Sequence, residues 1–159
     1  AYNVAKACVA CGTKRLIHTG PFHSGLGYDS DWWNDFRVVD DIPIHPADDL
    51  YALTKYLGND ITRIFAEEHS LEVLTFLYCH FRPREILPEE RGKGIHPYAS
   101  SWEDTGEGFL YGLRAGAMPS PYETFFMCSR LPHDKYRPDK AKRLLGWEAK
   151  DTFEVLFSR

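Results

Sequence analysis

The sequence lacks the features that define several large classes of protein. Its 159 residues contain only four cysteines, which are too few for a disulfide framework and are typical of a reducing compartment such as the cytoplasm. No apolar run approaches the roughly 20 residues that a membrane-spanning helix needs. Nineteen Lys and Arg residues against 23 Asp and Glu residues give a net charge of −4, so no basic excess favours binding to nucleic acid. We therefore expect a cytoplasmic protein whose partners include neither nucleic acid nor membrane.

What the sequence does contain is a regular alternation of helical and extended segments. Periodicity and capping residues predict helices over 3–11, 50–69, 101–114 and 139–145, and strands over 15–19, 71–79 and 124–128. The 71–79 segment is apolar on both faces, which is typical of a parallel strand covered by helices on both sides. This order predicts a single α/β domain over 1–159, built in layers.

The predicted helix over 50–69 carries an apolar stripe whose members are spaced by three and four residues. They are Leu50, Leu53, Leu57, Ile61, Ile64 and Phe65. Spacing of this kind places the side chains on one face of a helix, and we predict that this face packs against the core.

The same helix begins with a Tyr-x-x-x-Lys motif formed by Tyr51 and Lys55. Residues four apart lie on one helical face, so the ammonium group comes close to the phenol. A phenol is a poor acid–base catalyst at neutral pH, but a neighbouring cation stabilises the phenolate and makes Tyr51 usable as a proton donor or acceptor. The alternative is that Tyr51 packs while Lys55 is solvated. The motif alone leaves both interpretations open, because such five-residue matches are common.

Five segments that cover nearly the whole chain follow one another in an order found in one family of enzymes. They are Asn3-Val4 with residues 12–19, the Tyr51-x-x-x-Lys55 motif, residues 65–73, Trp102-x-Asp104 and residues 140–147. Together they resemble the extended short-chain dehydrogenase/reductases, in the branch of the NAD-dependent epimerases and dehydratases. Within that branch they resemble the uronate-dehydrogenase-like oxidoreductases.

The resemblance implies a Rossmann-like, three-layer parallel sheet, with NAD or NADP lying across the carboxyl ends of the strands. Residues 1–80 are then expected to hold the last Rossmann strands and the Tyr-x-x-x-Lys helix. Residues 81–159 are expected to form a small lobe that binds a sugar, a sugar acid or a nucleotide sugar. The resemblance also implies a homodimer that forms through the Tyr51 helix.

Four residues acquire expected roles from the resemblance. Tyr51 is the acid–base residue at the substrate hydroxyl, and Lys55 binds the nicotinamide ribose and stabilises the phenolate. Thr19, near the end of the first predicted strand, is the third member and hydrogen-bonds the same substrate oxygen. His80, which follows the strand over 71–79, is expected to contact the bound substrate or cofactor.

Three departures from the family bear on activity. The position that usually carries a hydroxyl is Pro21, for which Thr19 or Ser24 is the available replacement, and residues 76–83 also differ from the usual pattern. The chain contains no G-x-x-G-x-x-G turn to seat a pyrophosphate. We therefore expect only the C-terminal part of such an enzyme, with the dinucleotide-binding half preceding Ala1. The alternative to an enzyme is a pseudoenzyme of the same fold that serves as a binding or scaffolding protein.

Two further patterns have less specific interpretations. Cys8 and Cys11 form a C-x-x-C pair, but no second pair of ligands accompanies them, so we predict buried helix residues and no metal. Trp32 and Trp33 either cover a sugar as part of a lid or anchor a loop or an oligomer interface.

Overall fold

A computed structural model describes residues 1–22, 38–40 and 45–157 of the chain. Within these residues the helices are α1 (Tyr2–Ala10), α2 (Leu50–Glu68), α3 (Trp102–Arg114) and α4 (Asp139–Leu145). The strands are β1 (Arg15–Pro21), β2 (Val38–Val39), β3 (Glu72–Tyr78), β4 (His80–Arg82), β5 (Ala99–Ser101), β6 (Tyr122–Phe126) and β7 (Tyr136–Arg137). The order of the predicted helices and long strands is confirmed, although β6 begins at Tyr122 rather than at residue 124.

The central sheet has the strand order β1-β3-β6, and both pairs of neighbours are parallel. Its register pairs Pro21 with Tyr78, so β1 and β3 end side by side. The short strands form two further parallel pairs, β4 with β5 and β2 with β7. These strands contain only two or three residues, too few for a periodic signal, which is why the sequence does not predict them.

Helices cover both faces of the central sheet. On one face the sheet meets α3 and α4 in a cluster of buried side chains formed by Leu74, Phe76, Tyr78, Phe125, Met127, Ala141, Leu145 and Trp147. On the other face a smaller cluster joins the sheet to α1 and α2 through Ala66, Leu71 and Val73. Alternate residues of β3 thus pack on opposite helical layers, as a doubly covered parallel strand requires. The predicted three-layer α/β fold is confirmed.

α3 lies very close to the sheet because two of its inward positions are glycine. A Cβ atom on Gly112 would come within 2.6 Å of Cζ of Phe76, and one on Gly108 within 2.6 Å of Cε of Met127. Glycine lowers helix propensity by roughly 1 kcal/mol relative to alanine. At these two positions it also makes room for large side chains of the sheet, so the weak helix signal of α3 reflects its packing.

The Trp102-x-Asp104 motif has a structural role through Asp104, which is fully buried. Its carboxylate accepts hydrogen bonds from the backbone N–H groups of Lys150 and Asp151, each with a shortest distance of 3.0 Å. Its backbone oxygen accepts a hydrogen bond from Nε1 of Trp147 at 3.1 Å. Asp104 therefore ties the start of α3 to the segment that follows α4.

The prediction that the apolar stripe of α2 faces the core is wrong. Leu50 is 74% exposed, and Leu53, Leu57 and Ile64 are exposed as well. The buried residues of α2 are instead Ala52, Asn59, Thr62 and Ala66. Small side chains let the helix backbone approach the sheet, and this close approach turns the branched side chains outward. Tyr2 and Val4 of the neighbouring α1 are also exposed. We call Tyr2, Val4, Leu50, Leu53, Leu57 and Ile64 the α1–α2 apolar face.

Candidate active site

An open cleft of about 270 Å³ lies at the carboxyl ends of β1 and β3. Ligand sites of open parallel sheets characteristically lie at this end of the strands. The cleft is lined by Thr19, Gly20, Pro21, Tyr51, Lys55, Tyr78, Cys79, Phe81, Thr105 and Phe109. The structure thus brings together three of the four residues that the sequence predicts for the site, namely Thr19, Tyr51 and Lys55.

Tyr51 and Lys55 lie in the first turns of α2 and face the cleft. Asp49 caps this helix, because its carboxylate accepts a hydrogen bond from the N–H of Ala52 at 2.7 Å. The ammonium nitrogen of Lys55 lies over the ring of Tyr51, 5.4 Å from the ring centroid. This distance is within the range of a cation–π contact, so the two side chains meet as the spacing predicts.

The end of β1 supplies the neighbouring part of the wall through Thr19, Gly20 and Pro21. Gly20 is required here, because an added Cβ would lie 2.9 Å from Oδ1 of the buried Asn59 on α2. The absence of a side chain at Gly20 thus makes room for Asn59 between β1 and α2, next to Thr19. Pro21 carries no hydroxyl, which leaves the exposed Thr19 as the hydroxyl that β1 contributes to the cleft.

His18 lies on β1 with its ring near Gly58 of α2, outside the residues that line the cleft. Burial lowers the pKa of its imidazole, and the positive charge of Lys55 acts in the same direction. These effects outweigh the opposing contribution of the Asn59 carboxamide. His18 is therefore a neutral side chain that packs beneath α2 at neutral pH.

The opposite side of the cleft is an aromatic wall formed by Phe81, Tyr78 and Phe109. The ring centroids of Tyr78 and Phe81 are 5.2 Å apart, and Tyr78 stacks on Phe109 at 6.2 Å. Burial raises the pKa of Tyr78, and its hydroxyl has no hydrogen-bond partner among the residues that the structure describes. Thr105 adds a polar group at the edge of this wall. Sequence reasoning missed these residues, although Tyr78 lies within the strand predicted over 71–79.

His80, the fourth predicted site residue, does not line the cleft. It is exposed on β4, and its ring stacks on that of His96 with a centroid distance of 6.1 Å. Cys79 lies on the cleft wall instead, and its Sγ is 3.8 Å from Nε2 of His96. Burial raises the pKa of Cys79, so this side chain is a thiol rather than a thiolate at neutral pH. A role for His80 stays a prediction.

The remaining predictions concern cysteines and loop residues. Cys8 is half-buried, as a packed helix residue can be, but Cys11 is exposed at the end of α1, so the prediction of a buried pair is wrong for Cys11. In the part of the chain that the structure describes, no group of three or more His, Cys, Asp and Glu side chains could hold a metal ion. Nor does that part contain a helix of the length and apolarity needed to cross a membrane. Trp32, Trp33 and Ser24 lie outside the described residues.

No protein-family model matches the sequence, and the search of curated proteins finds no match. The structure, in contrast, is similar to solved structures. It matches MoeE5 in complex with UDP-glucuronic acid and NAD with a TM-score of 0.73 and 12% sequence identity, over 98% of this chain and 66% of that chain. It matches a short-chain dehydrogenase/reductase superfamily protein from Agrobacterium tumefaciens with bound NAD with a TM-score of 0.74 and 14% identity, over 98% and 68%.

A third similar structure is the UDP-glucose 4-epimerase of Thermotoga maritima with UDP-glucose. Its TM-score is 0.65 and its identity 17%, over 97% of this chain and 64% of that chain. These likenesses define the class of fold: the chain has the Rossmann-like α/β fold of these solved structures, as the sequence predicts. It spans about two thirds of the length of the solved structures that it matches.

Proposed function

We propose that this chain is part of an NAD(P)-dependent oxidoreductase or epimerase that acts on a sugar, a sugar acid or a nucleotide sugar. The observation that carries the proposal is the convergence of Thr19, Tyr51 and Lys55 on one cleft at the carboxyl end of a parallel sheet. A phenol, an ammonium group and a hydroxyl in this arrangement can hold a substrate alcohol and move its proton. The similar structures support the sugar class, because their bound ligands include UDP-glucuronic acid and UDP-glucose.

The residues of the cleft have different expected roles in the reaction. Tyr51 accepts the proton of the substrate hydroxyl on oxidation and returns it on reduction. Lys55, whose ammonium group already lies over the Tyr51 ring, stabilises the phenolate. Thr19 donates a hydrogen bond to the same substrate oxygen. The 81–159 part of the chain supplies the substrate side through Phe81, among others.

The donors present in the cleft suit a dinucleotide cofactor of the NAD type. The ammonium of Lys55 and the hydroxyl of Tyr51 can hydrogen-bond the hydroxyls of a nicotinamide ribose, and His80 lies beside this edge of the sheet. When bound, such a cofactor supplies or accepts the hydride. The similar solved structures support this assignment, because the structures of MoeE5 and of the Agrobacterium protein contain NAD.

A cytoplasmic location is consistent with four cysteines that are all free thiols.

We propose further that the protein forms a homodimer through the α1–α2 apolar face. Its residues lie on two helices that pack together, as the edge-to-face contact of Tyr2 with Phe65 shows. Clustered exposed apolar side chains are characteristic of an interaction surface. A two-fold pair of copies buries the same face on both, so a single patch is sufficient.

The experiment that tests the enzymatic function follows NAD reduction by the full-length protein, with UDP-glucose, UDP-glucuronic acid and free uronic acids as substrates. Because an epimerase regenerates its NAD within each turnover, epimerisation of each sugar is followed in parallel. Tyr51→Phe keeps the ring but removes the hydroxyl, so kcat falls by about 10²–10⁴-fold, while NAD affinity falls only by the loss of one ribose hydrogen bond, about 2- to 10-fold. Lys55→Met lowers both kcat and NAD affinity. Tyr56→Phe is the matched control, because Tyr56 lies on the same helix outside the cleft and its loss leaves the rate unchanged.

A second candidate function is that of a pseudoenzyme that binds ligands or partners without catalysis. The observation in its favour is Pro21, which stands in the cleft where the resemblance implies a hydroxyl. The same assay separates the two proposals. Equal rates for wild type and Tyr51→Phe remove Tyr51 from the mechanism. Absence of turnover with every substrate, despite measurable binding of a nucleotide sugar, favours the pseudoenzyme.

A further inference from the structure

The strand β4 turns an arginine inward and a phenylalanine outward, the reverse of the usual preference. The side chain of Arg82 is only 11% exposed, because its guanidinium forms an ion pair with Glu90 at 3.1 Å and lies over the ring of Phe153 at 5.4 Å. Phe81, the preceding residue, is 46% exposed and lines the cleft. Adjacent residues of a strand point to opposite sides, so the contacts of Arg82 also determine the direction of Phe81.

Phe81 therefore borders the cleft in a direction that the contacts of Arg82 help to determine. Covering the whole ring would stabilise the protein further, and the 46% of Phe81 that stays exposed forgoes part of that stabilisation in the structure described. An exposed ring that is fixed in direction and borders a cavity is characteristic of a binding surface.

The ring of Phe81 continues into the rest of the aromatic wall. Tyr78 lies behind it and stacks on Phe109 of α3, so three rings line the side of the cleft opposite Tyr51 and Lys55. The register of β1 and β3 makes the arrangement compact, because Tyr78 is the direct partner of Pro21. A ligand in this cleft consequently has aromatic carbon on one side and hydrogen-bonding groups on the other.

We propose that the aromatic wall is a platform for the apolar face of a sugar ring and that Phe81 determines substrate specificity by stacking on that face. A pyranose has C–H groups on its faces and hydroxyls at its edge, which matches a cleft with one aromatic and one polar side. This inference rests on the proposed function, since it names how the same site holds its substrate. Thr105 also lines the cleft: its hydroxyl donates to the backbone oxygen of Ser101 at 2.7 Å, so it is available as an acceptor for a sugar hydroxyl.

The test compares three substitutions of Phe81 in the full-length protein, with UDP-glucose, UDP-glucuronic acid and UDP as probes. Phe81→Leu keeps an apolar side chain but removes the aromatic face, so KM and Kd for both sugar nucleotides rise by about 3- to 10-fold while kcat changes less. Phe81→Tyr keeps the face and stays within about twofold of wild type, whereas Phe81→Ala shows at least the loss of Phe81→Leu. Affinity for UDP and for NAD is unchanged in all three.

Tyr111→Leu is the matched control, because Tyr111 is an exposed aromatic residue of α3 that does not line the cleft. Thermal melting verifies that each variant is folded. Saturation-transfer NMR supplies a readout independent of turnover: transfer to the ring C–H protons of UDP-glucose is strong in wild type and weak in Phe81→Ala.

Two results would contradict the proposal that the aromatic wall binds the sugar ring. One is an unchanged KM for Phe81→Leu while Tyr51→Phe still abolishes turnover, which leaves the oxidoreductase in place without an aromatic contact. The other is binding of UDP but no saturation transfer to the sugar ring of either probe in the wild-type protein. Failure of the enzymatic proposal alone is recognised by strong, Phe81-dependent transfer in a protein that neither reduces NAD nor epimerises either sugar nucleotide.

Discussion

The two helical layers cover the same sheet with very different side chains. The layer of α3 and α4 encloses a dense aromatic cluster around Phe76, Phe125 and Trp147, and two glycines of α3 make room for it. The layer of α1 and α2 buries small residues such as Ala52 and Ala66 and turns its leucines outward. The first layer thus supplies most of the hydrophobic core. The second brings a helix backbone close to the sheet and presents an apolar surface.

The same contrast divides the cleft. The layer of α1 and α2 contributes the hydrogen-bonding side, with Tyr51 and Lys55 on the first turns of α2. The layer of α3 and α4 contributes Phe109, which stacks on Tyr78 of β3. Close packing of α2 on Gly20 positions polar groups accurately, and the bulky layer supplies rigid aromatic surface. We therefore expect stability and the proposed chemistry to depend mainly on different sides of one sheet, which substitutions on each side can test.

The largest loss of stability is expected from Trp147→Ala in the aromatic layer. The side chain is fully buried and donates a hydrogen bond to the backbone oxygen of Asp104, so its removal leaves a cavity and takes one hydrogen bond from that oxygen. The free energy of unfolding should fall by about 3–5 kcal/mol in urea denaturation. Trp102→Ala is the control, because Trp102 is 61% exposed and its loss should change stability by less than about 0.5 kcal/mol. Similar losses for the two tryptophans would refute this account of the core.

A smaller loss of stability is expected from Arg15→Met, because Arg15 links the edge strand β1 to the end of α3. The guanidinium of Arg15 donates to the backbone oxygens of Gly112 and Ala115 at 2.8 and 2.7 Å and forms a bidentate ion pair with Glu72. The free energy of unfolding should fall by about 1.5–3 kcal/mol, the usual range for hydrogen bonds of a charged group. Arg114→Met, at an exposed position of α3, should leave stability unchanged. An equal loss of stability in the two variants would show that the contacts of Arg15 do not stabilise the protein.

The exposed leucines of α2 are expected to affect the association of two chains rather than folding. Leu57→Lys places a charge in the α1–α2 apolar face and should weaken a homodimer by at least about tenfold, or 1.4 kcal/mol. Leu110→Lys on α3 is closely matched, since both leucines are 49% exposed, and it should not change the association constant. Sedimentation equilibrium measures both. A wild-type protein that stays monomeric at every concentration would contradict the dimer.

The smallest effect is expected from pH, through His18 beneath α2. Its folded-state pKa is lowered below the ordinary value of 6.5, so the unfolded chain binds the proton more tightly. The stability that the neutral imidazole allows is present above pH 6.5 and is lost as the pH falls toward the folded-state pKa. His18→Gln should flatten the dependence of the urea midpoint on pH between 7 and 5. Part of the dependence should remain, because burial also lowers the pKa of His133. An identical pH profile for wild type and variant would exclude His18.

Most of the secondary structure could be predicted because its signals are local. Asp49 and Ser101 cap α2 and α3 as their side chains suggest, and α4 ends at Gly146, which adopts a left-handed φ of 75°. The doubly apolar pattern of β3 likewise indicated a parallel strand between two layers. Spacing within one helix was enough to bring Tyr51 and Lys55 together, because residues four apart are neighbours in any α-helix.

The sequence by itself therefore determined the order of the long elements, the class of fold and the polar side of the cleft. Only the tertiary structure decided which face of α2 is buried, because a leucine stripe has the same period whether it meets a core or a partner. The aromatic wall was also decided there, since Tyr78, Phe81 and Phe109 come from three elements that meet only after folding. The inward turn of Arg82 depends likewise on Glu90 and Phe153, whose side chains local sequence patterns do not place beside it.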